Sequence, residues 1–308
     1  MLFRSSAGIS GTLLVNAGTV TVNGTTGRLG FAVETISQGG VLTLDNSGAV
    51  ANAISNRLGG AVAISGTTRI LNFQGGTLNY LANNNASLTE TLGTMTLVAG
   101  QSLFNLTPST GAFGTTVNIT TVTAQSATNT GTLVISTTGI LGGAAAGTGR
   151  VNVFATTPTL VSGIRPDIIG SDSTGTGLVT SDANGFRLLT SADTALGYFA
   201  PTGSYLGTAA PGAITALGGT VSNAAAGSNV FATSQNLNLY TSTTINSLTL
   251  NSGGGVTSTG GGIAVNYATG KGAFIVWAGG NSAANLLNGA ATTGWTAANR
   301  LLEGWGVS

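Results

Sequence analysis

Apolar and polar residues alternate along most of this chain in short runs. The clearest stretch is Leu71 to Thr107, LNFQGGTLNYLANNNASLTETLGTMTLVAGQSLFNLT. Within it LNF, TLNYL, TMTLV and SLFNL are strand-sized, rich in β-formers and separated by glycine or polar turn residues. They are too short and too punctuated for helices. No single run buries its apolar face alone; stacked on copies of itself, it does. The pattern therefore predicts an all-β chain built as a β-solenoid.

Residues 11–59 carry a repeat. Gly11–Gly30 reads GTLLVNAGTVTVNGTTGRLG and Gly40–Gly59 reads GVLTLDNSGAVANAISNRLG, aligned without a gap at an offset of 29 residues. Both open on glycine, carry Leu13 or Leu42 at the third place, and end in Arg28-Leu29-Gly30 or Arg57-Leu58-Gly59. A period of about 20–50 residues is the mark of repeat architectures. Asn16-Ala17-Gly18 and Asp45-Asn46-Ser47-Gly48 are turn chemistry, because Asn, Asp and Gly tolerate positive φ. Further strand-like units follow at Gly75–Tyr80, Thr94–Val98, Val117–Val122, Gly131–Ser136, Thr243–Leu250 and in GGGIAV at 260–265. Their alternation points aliphatic residues inward as a thin core, and Thr, Ser and Asn outward, where they can hydrogen-bond along the stack.

The pattern sets four segments apart: solenoid repeats at 1–153, an irregular or β excursion at 154–235, further rungs at 236–270, and a tail at 271–308. The excursion holds Pro158, Pro166, Pro201 and Pro211, four of the five prolines, with Asp167, Asp172, Asp182 and Asp193. A long excursion on a rigid scaffold is also where binding is to be sought. The tail holds Trp277, Trp295 and Trp305, and its TGWTAANRLLEGW has the Ala and Leu content of a short helix. A terminal cap and an out-of-register stretch both fit it.

Composition narrows the class. Only 6% of the 308 residues are charged, against roughly 25% in an ordinary domain. Hydrophobic residues make up 42% and the mean hydropathy is +0.36, which argues against disorder. The 50 glycines follow no three-residue period, which excludes collagen. A net charge of +1, with nine basic residues scattered along the chain, offers no footprint for nucleic acid. No apolar run approaches the ~18 residues of a membrane-spanning helix. The opening MLFRSSAGISG has no apolar signal core, so export would make Met1 an internal start and the chain a fragment.

GTLLVNAGTVTVNGTTGRLG, NRLGG followed by ILNFQGGTLNYL, and TLGTMTLVAGQS resemble the autotransporter-associated β-strand repeats of large bacterial surface proteins. The resemblance covers about residues 11–155 and, less closely, 236–266. Residues 154–235 match in style only, and the tail does not match. The resemblance implies a right-handed parallel β-helix passenger, displayed on or released from the outer membrane of a Gram-negative-type bacterium. Neither the family's β-barrel translocator nor its signal peptide is recognisable. The motif speaks to architecture more than activity, since such families include adhesins and enzymes.

The absence of histidine and cysteine rules out Ser-His-Asp triads, Cys-His dyads, disulfides and the usual zinc sites. No nucleophile elbow, phosphate loop or calcium-binding nonapeptide is present, and no cofactor or metal is expected. Any catalysis would rest on carboxylates. The clustered acids are Asp167, Asp172 and Asp182, near Arg165 and Arg187, and these five are the candidate binding residues. Their spacing matches no known glycosidase or EF-hand motif, and solvated loop charges are the plainer explanation. Glu34, Asp45 and Glu90 read as turn or surface residues. Phe73, Tyr80, Phe104 and Phe113 read as core rather than as a sugar-stacking platform.

Two functional readings follow. One is a non-catalytic surface or secreted repeat protein, a β-helical stalk acting in adhesion, self-association or presentation of a binding region. Its partners would be glycans, a host or neighbouring cell surface, or further copies. The other is a β-helix polysaccharide lyase or glycoside hydrolase, which needs two of the aspartates about 5–10 Å apart in a groove. An outer-membrane barrel fits less well, because evenly spaced ~10-residue strands and aromatic girdles are missing.

Overall fold

The computed structural model describes residues 9–59, 69–123, 126, 128–142, 150–156, 158–203, 205–207, 221–232, 236–239, 243–251, 255–258, 265–267, 274–278 and 300–301. Among the described residues its regular structure is strand, apart from three single 3-10 turns. Met1–Leu160 with Asp167–Leu188 form one compact unit, and Val161–Pro166 with Leu189–Ser308 form a second.

In the first unit the strands come as closely spaced pairs. These are β1 (Ile9–Val15) and β2 (Gly18–Val22), β3 (Phe31–Ser37) and β4 (Gly40–Asp45), β5 (Ile70–Gln74) and β6 (Thr77–Leu81), and β7 (Leu88–Ala99) and β8 (Gln101–Thr107). Then follow β9 (Thr115–Val122), β10 (Thr132–Thr137), β11 (Ile140–Leu141), β12 (Arg150–Ala155), β13 (Arg165–Asp172), β14 (Gly175–Asp182) and β15 (Gly185–Leu188). Members of a pair go to different sheets. One sheet runs β1-β3-β5-β7-β9-β12-β11, the other β15-β14-β13-β10-β8-β6-β4-β2. Pairing from β1 to β12 and from β2 to β13 is parallel.

The corner inside each pair is tight because glycine makes it so. Gly39 sits at φ 81° and Gly75 at φ 84°, conformations that side chains resist. A Cβ on the following Gly40 would run into the Val15 carbonyl, and one on Gly76 into the Ile36 side chain. The chain thus crosses from one sheet to the other within two residues and keeps the next strand in register.

Register stacks like on like. Inward rows read Val15, Ile36, Phe73, Leu97 on one sheet and Leu42, Leu78, Phe104, Ile135 on the other, all buried. Outward, Asn79 Nδ2 donates to Thr43 Oγ1 at 3.2 Å and Asn105 Nδ2 to Asn79 Oδ1 at 3.0 Å. Asn72 Nδ2 likewise reaches Thr35 Oγ1 at 3.3 Å, and the hydroxyls of Thr96 and Thr123 lie 3.2 Å apart. The expected inward aliphatic and outward Thr/Asn rows are both present. Phe73, Tyr80 and Phe104 are core, as expected, whereas Phe113 is 37% exposed.

The 29-residue period is corrected. Gly18 pairs with Gly40, a step of 22, and Val41 pairs with Thr77, a step of 36. Leu13 faces Glu34, and Leu42 faces Val20, so the two leucines aligned in sequence lie in different sheets. What does repeat at 29 is the corner: the Leu29 N–H donates to the Arg57 carbonyl at 2.6 Å, stacking one Arg-Leu-Gly on the other. Connections of unequal length absorb the difference elsewhere.

The stretch set apart at 154–235 divides. Its β13 lies beside β10 in parallel register, Leu133 to Ile168. β14 turns back through Ala183-Asn184 into β15, antiparallel, with Asp182 opposite Gly185. β15 packs on β12, close enough that a Cβ on Gly185 would strike the Val153 carbonyl, and Asn152 Nδ2 donates to Asn184 O at 2.9 Å. The hairpin closes that end of the first unit.

The second unit contains β16 (Tyr198–Phe199), β17 (Tyr205–Leu206), β18 (Val221–Ser222), β19 (Asn229–Ala232), β20 (Asn236–Leu239) and β21 (Thr243–Ile245). It continues with β22 (Ser247–Asn251), β23 (Gly255–Ser258), β24 (Val265–Tyr267), β25 (Phe274–Ala278) and β26 (Arg300–Leu301). Three parallel sheets, β16-β19-β22-β25-β26, β18-β17-β20-β23 and β21-β24, are visited in rotation from β19 to β25. The predicted strand 243–250 is broken by Asn246 into β21 and β22. Asn246 Nδ2 donates to Asn229 Oδ1 at 2.7 Å, and Asn229 Nδ2 to Ser162 O at 2.9 Å, forming a buried asparagine stack. In the tail, Phe274–Ala278 and Arg300–Leu301 are strands of the first of these sheets. The rest of the segment read as a short helix, with Trp295 and Trp305, lies outside the described residues.

Stacked rows predict an asymmetry within one strand. Phe104→Ala should cost about 3–5 kcal/mol in urea denaturation, while Asn105→Ala, facing outward, should cost less than about 1 kcal/mol.

Candidate functional site

Of the five residues marked in the sequence, Asp182 and Arg187 are joined in an ion pair, while Asp172 caps the turn at the other end of β14. Asp172 ends β13, where its Oδ1 accepts from the Thr174 N–H at 2.8 Å and the Thr174 hydroxyl at 2.6 Å. Its Oδ2 accepts from the Leu141 N–H at 3.1 Å. This is an Asx turn that opens the β13–β14 hairpin. Asp182 does the same for the next turn, taking the Asn184 N–H at 2.7 Å, and its other oxygen pairs with Arg187 Nε at 2.6 Å. Both partners are partly exposed, so the pair is worth about 1 kcal/mol at most. Arg165 and Asp167 are buried within β13. Asp167 and Asp172 are five residues apart on one strand, which by strand alternation sends them to opposite faces, about 16 Å apart along it. Among the described residues no three carboxylates gather as a metal would require.

The concentration of charge lies elsewhere, inside the first unit. Glu34 and Glu90 are fully buried, and so are Arg57 and Arg69, which corrects the reading of the two glutamates as turn or surface residues. Alternation carried the signal. In FAVETIS the inward Ile36 puts Glu34 inward, and in LTETL the inward Leu88 and Leu92 put Glu90 inward. Asp45 fits its expected role, capping a turn through the Ser47 N–H at 2.8 Å.

Arg57 is fixed by the corner it fills. Its Nε donates to Asn46 Oδ1 at 2.6 Å, Nη1 to the Gly27 carbonyl at 2.7 Å, and Nη2 to the carbonyls of Gly24 at 3.0 Å and Asn52 at 2.8 Å. Glu90 completes it from the next turn, accepting the N–H of Arg57 at 2.8 Å and of Leu58 at 3.0 Å. Burial still pushes the Glu90 carboxyl up to about 7, against the pull of these two N–H groups and of Arg69 and Arg57. Burial also lowers the Arg57 guanidinium from its ordinary value, opposed by Glu90. Asn83 Nδ2 extends the network to Asn46 O at 2.6 Å.

Glu34 is held quite differently. Neither carboxyl oxygen has a hydrogen-bond partner among the described residues, and Arg69 Nε, itself without one, stands 4.0 Å away. Burial pushes the Glu34 carboxyl up to about 8, with Arg69 pulling down, Glu90 adding to the rise, and its own backbone N–H, too poorly placed for a full hydrogen bond, pulling slightly down. These groups lie buried among the inward rows of the two sheets.

Among the described residues no helix is long and apolar enough to cross a membrane, a statement that does not extend to strands. Comparison of the chain with protein families, with curated proteins and with solved structures finds no match.

The corner network predicts a hierarchy. Arg57→Met strips donors from three carbonyls and from Asn46, and should cost about 3 kcal/mol or more. Asp182→Asn at the exposed pair should cost no more than about 1 kcal/mol. Thermal and urea midpoints of the two variants measure the difference.

Proposed function

We propose that this chain is a non-catalytic bacterial surface or secreted repeat protein whose parallel sheets are turns of a right-handed β-helix. It acts in adhesion, self-association or presentation of a binding region. The observation that carries this reading is the in-register alternation of successive strands between two parallel sheets, from β1 to β10. Handedness follows from chain chirality, since crossovers between parallel strands of one sheet are right-handed in about 98% of cases. The local likeness to autotransporter-associated repeats and the 6% charge support a place outside the cell, on a Gram-negative-type surface or released from it.

The outward faces supply the binding chemistry. Thr43, Asn79 and Asn105 on one sheet, and Asn72 and Thr96 on the other, set uncharged donors and acceptors in rows. Neighbouring strands lie about 4.8 Å apart, so each row repeats at that interval. Neutral hydroxyl-rich polymers, or the same face of another copy, offer matching groups. The enzyme reading has less to stand on: Asp172 and Asp182 cap turns, Asp167 is buried, and histidine and cysteine are absent.

The test is a glycan array and sedimentation of the purified chain, with the same preparation assayed for depolymerisation of acidic polysaccharides with and without calcium. Binding or self-association with polymer length unchanged is the expected result. Calcium-dependent loss of polymer length, abolished by Asp172→Ala or Asp167→Ala, would overturn it.

A further inference from the structure

We propose that Glu34 is a protonation-controlled latch, holding the turns around β3 closed when it carries a proton and loosening them when it loses it. The placement makes the case. Glu34 occupies an inward row between Leu13 and Leu71, which continues to Met95, where a hydrocarbon would close the row without any polar group. It is completely buried, both its oxygens lack hydrogen-bond partners, and the nearest cation stops 4.0 Å short. A neutral carboxyl at such a place costs a modest desolvation penalty; a carboxylate there costs far more, and an ion pair without hydrogen bonds repays little of it.

The groups around it set the balance. Arg69, just ahead of β5, favours the charged form, and Glu90 on β7 opposes it. Beyond Glu90 lie Arg57 and Tyr80, with Asp45 of β4 and Arg28 acting on Arg57. β1 and β5 offer Glu34 only Leu13 and Leu71 in its row. One cation against a second buried acid leaves the protonated form favoured in the folded chain.

The sign follows. Unfolded, Glu34 titrates near the ordinary value of about 4.3; folded, it holds its proton up to about 8. The folded state therefore binds more protons between these values, and stability falls as pH rises through that window. The contribution is full below about pH 4 and gone above about pH 8. Glu90 adds the same sign over the window that ends near 7.

Thermal unfolding of the full chain at pH 5, 7 and 9, with Glu34→Gln and Glu34→Leu beside it, tests the latch. The wild-type midpoint should drop by at least about 5 °C from pH 5 to pH 9, with amide exchange in β3 speeding up beyond its intrinsic pH dependence. Both variants should flatten that drop and melt higher than wild type at pH 9. At pH 8, where Glu90 has largely lost its proton, the infrared spectrum of the wild type should contain a protonated-carboxyl band that Glu34→Gln lacks. A wild-type midpoint flat across this range, variants whose profiles run parallel to wild type, or a spectrum without that band would overturn the proposal.

Discussion

Each inward side chain of the first unit rests on its register partner on the neighbouring parallel strand, about 4.8 Å away, and the rest of the structure depends on that contact. Row by row, Val15 meets Ile36, Phe73 and Leu97, and Leu42 meets Leu78, Phe104 and Ile135. A core this thin has no second layer to compensate for a misfit, so a one-residue slip would turn a whole row to solvent. The two-residue glycine corners matter for the same reason: they return the chain to the sheet with the alternation intact.

Polar groups enter the interior in two ways, and the contrast is informative. Arg57 and Glu90 close a corner in which the guanidinium meets four acceptors and the carboxylate meets two N–H groups of the neighbouring turn. The buried asparagine stack of Asn229 and Asn246 does comparable work in the second unit. Glu34 has no such partners. Hydrogen-bonded polar groups fix register, because only one alignment of the strands brings them together; the unpartnered Glu34 makes the local structure answer to its protonation. Surface chemistry is by comparison plain, with hydroxyl and amide rows outside and the accessible aspartates committed to turns.

Much of this was legible in the sequence. Short alternating runs, Gly-Gly punctuation and Asx turns announced the strands and corners, and inward and outward sides could be assigned from Leu71 to Thr107. The period was harder to read, since the strongest textual repeat, Arg-Leu-Gly, marks a corner while the strands step by 22 or 36 residues through connections of unequal length. Pro166 and a cluster of acids hide three strands, β13 to β15, whose residues 167–188 belong to the first unit. Residue type hides Glu34 and Glu90 in the sequence, although alternation alone points both inward.

Strand register holds the fold together, and the chain contains no cysteine to confuse a cross-linking test. Cysteine placed at both Thr43 and Asn79 puts two thiols on paired outward positions of β4 and β6, within the Cα separation of about 4.4–6.8 Å that a disulfide spans. Rapid oxidation of this pair, with none for Thr43 and Asn105 two strands apart, is the predicted result. Preferential cross-linking of Thr43 to Asn72, the partner a uniform 29-residue period would choose, would contradict it.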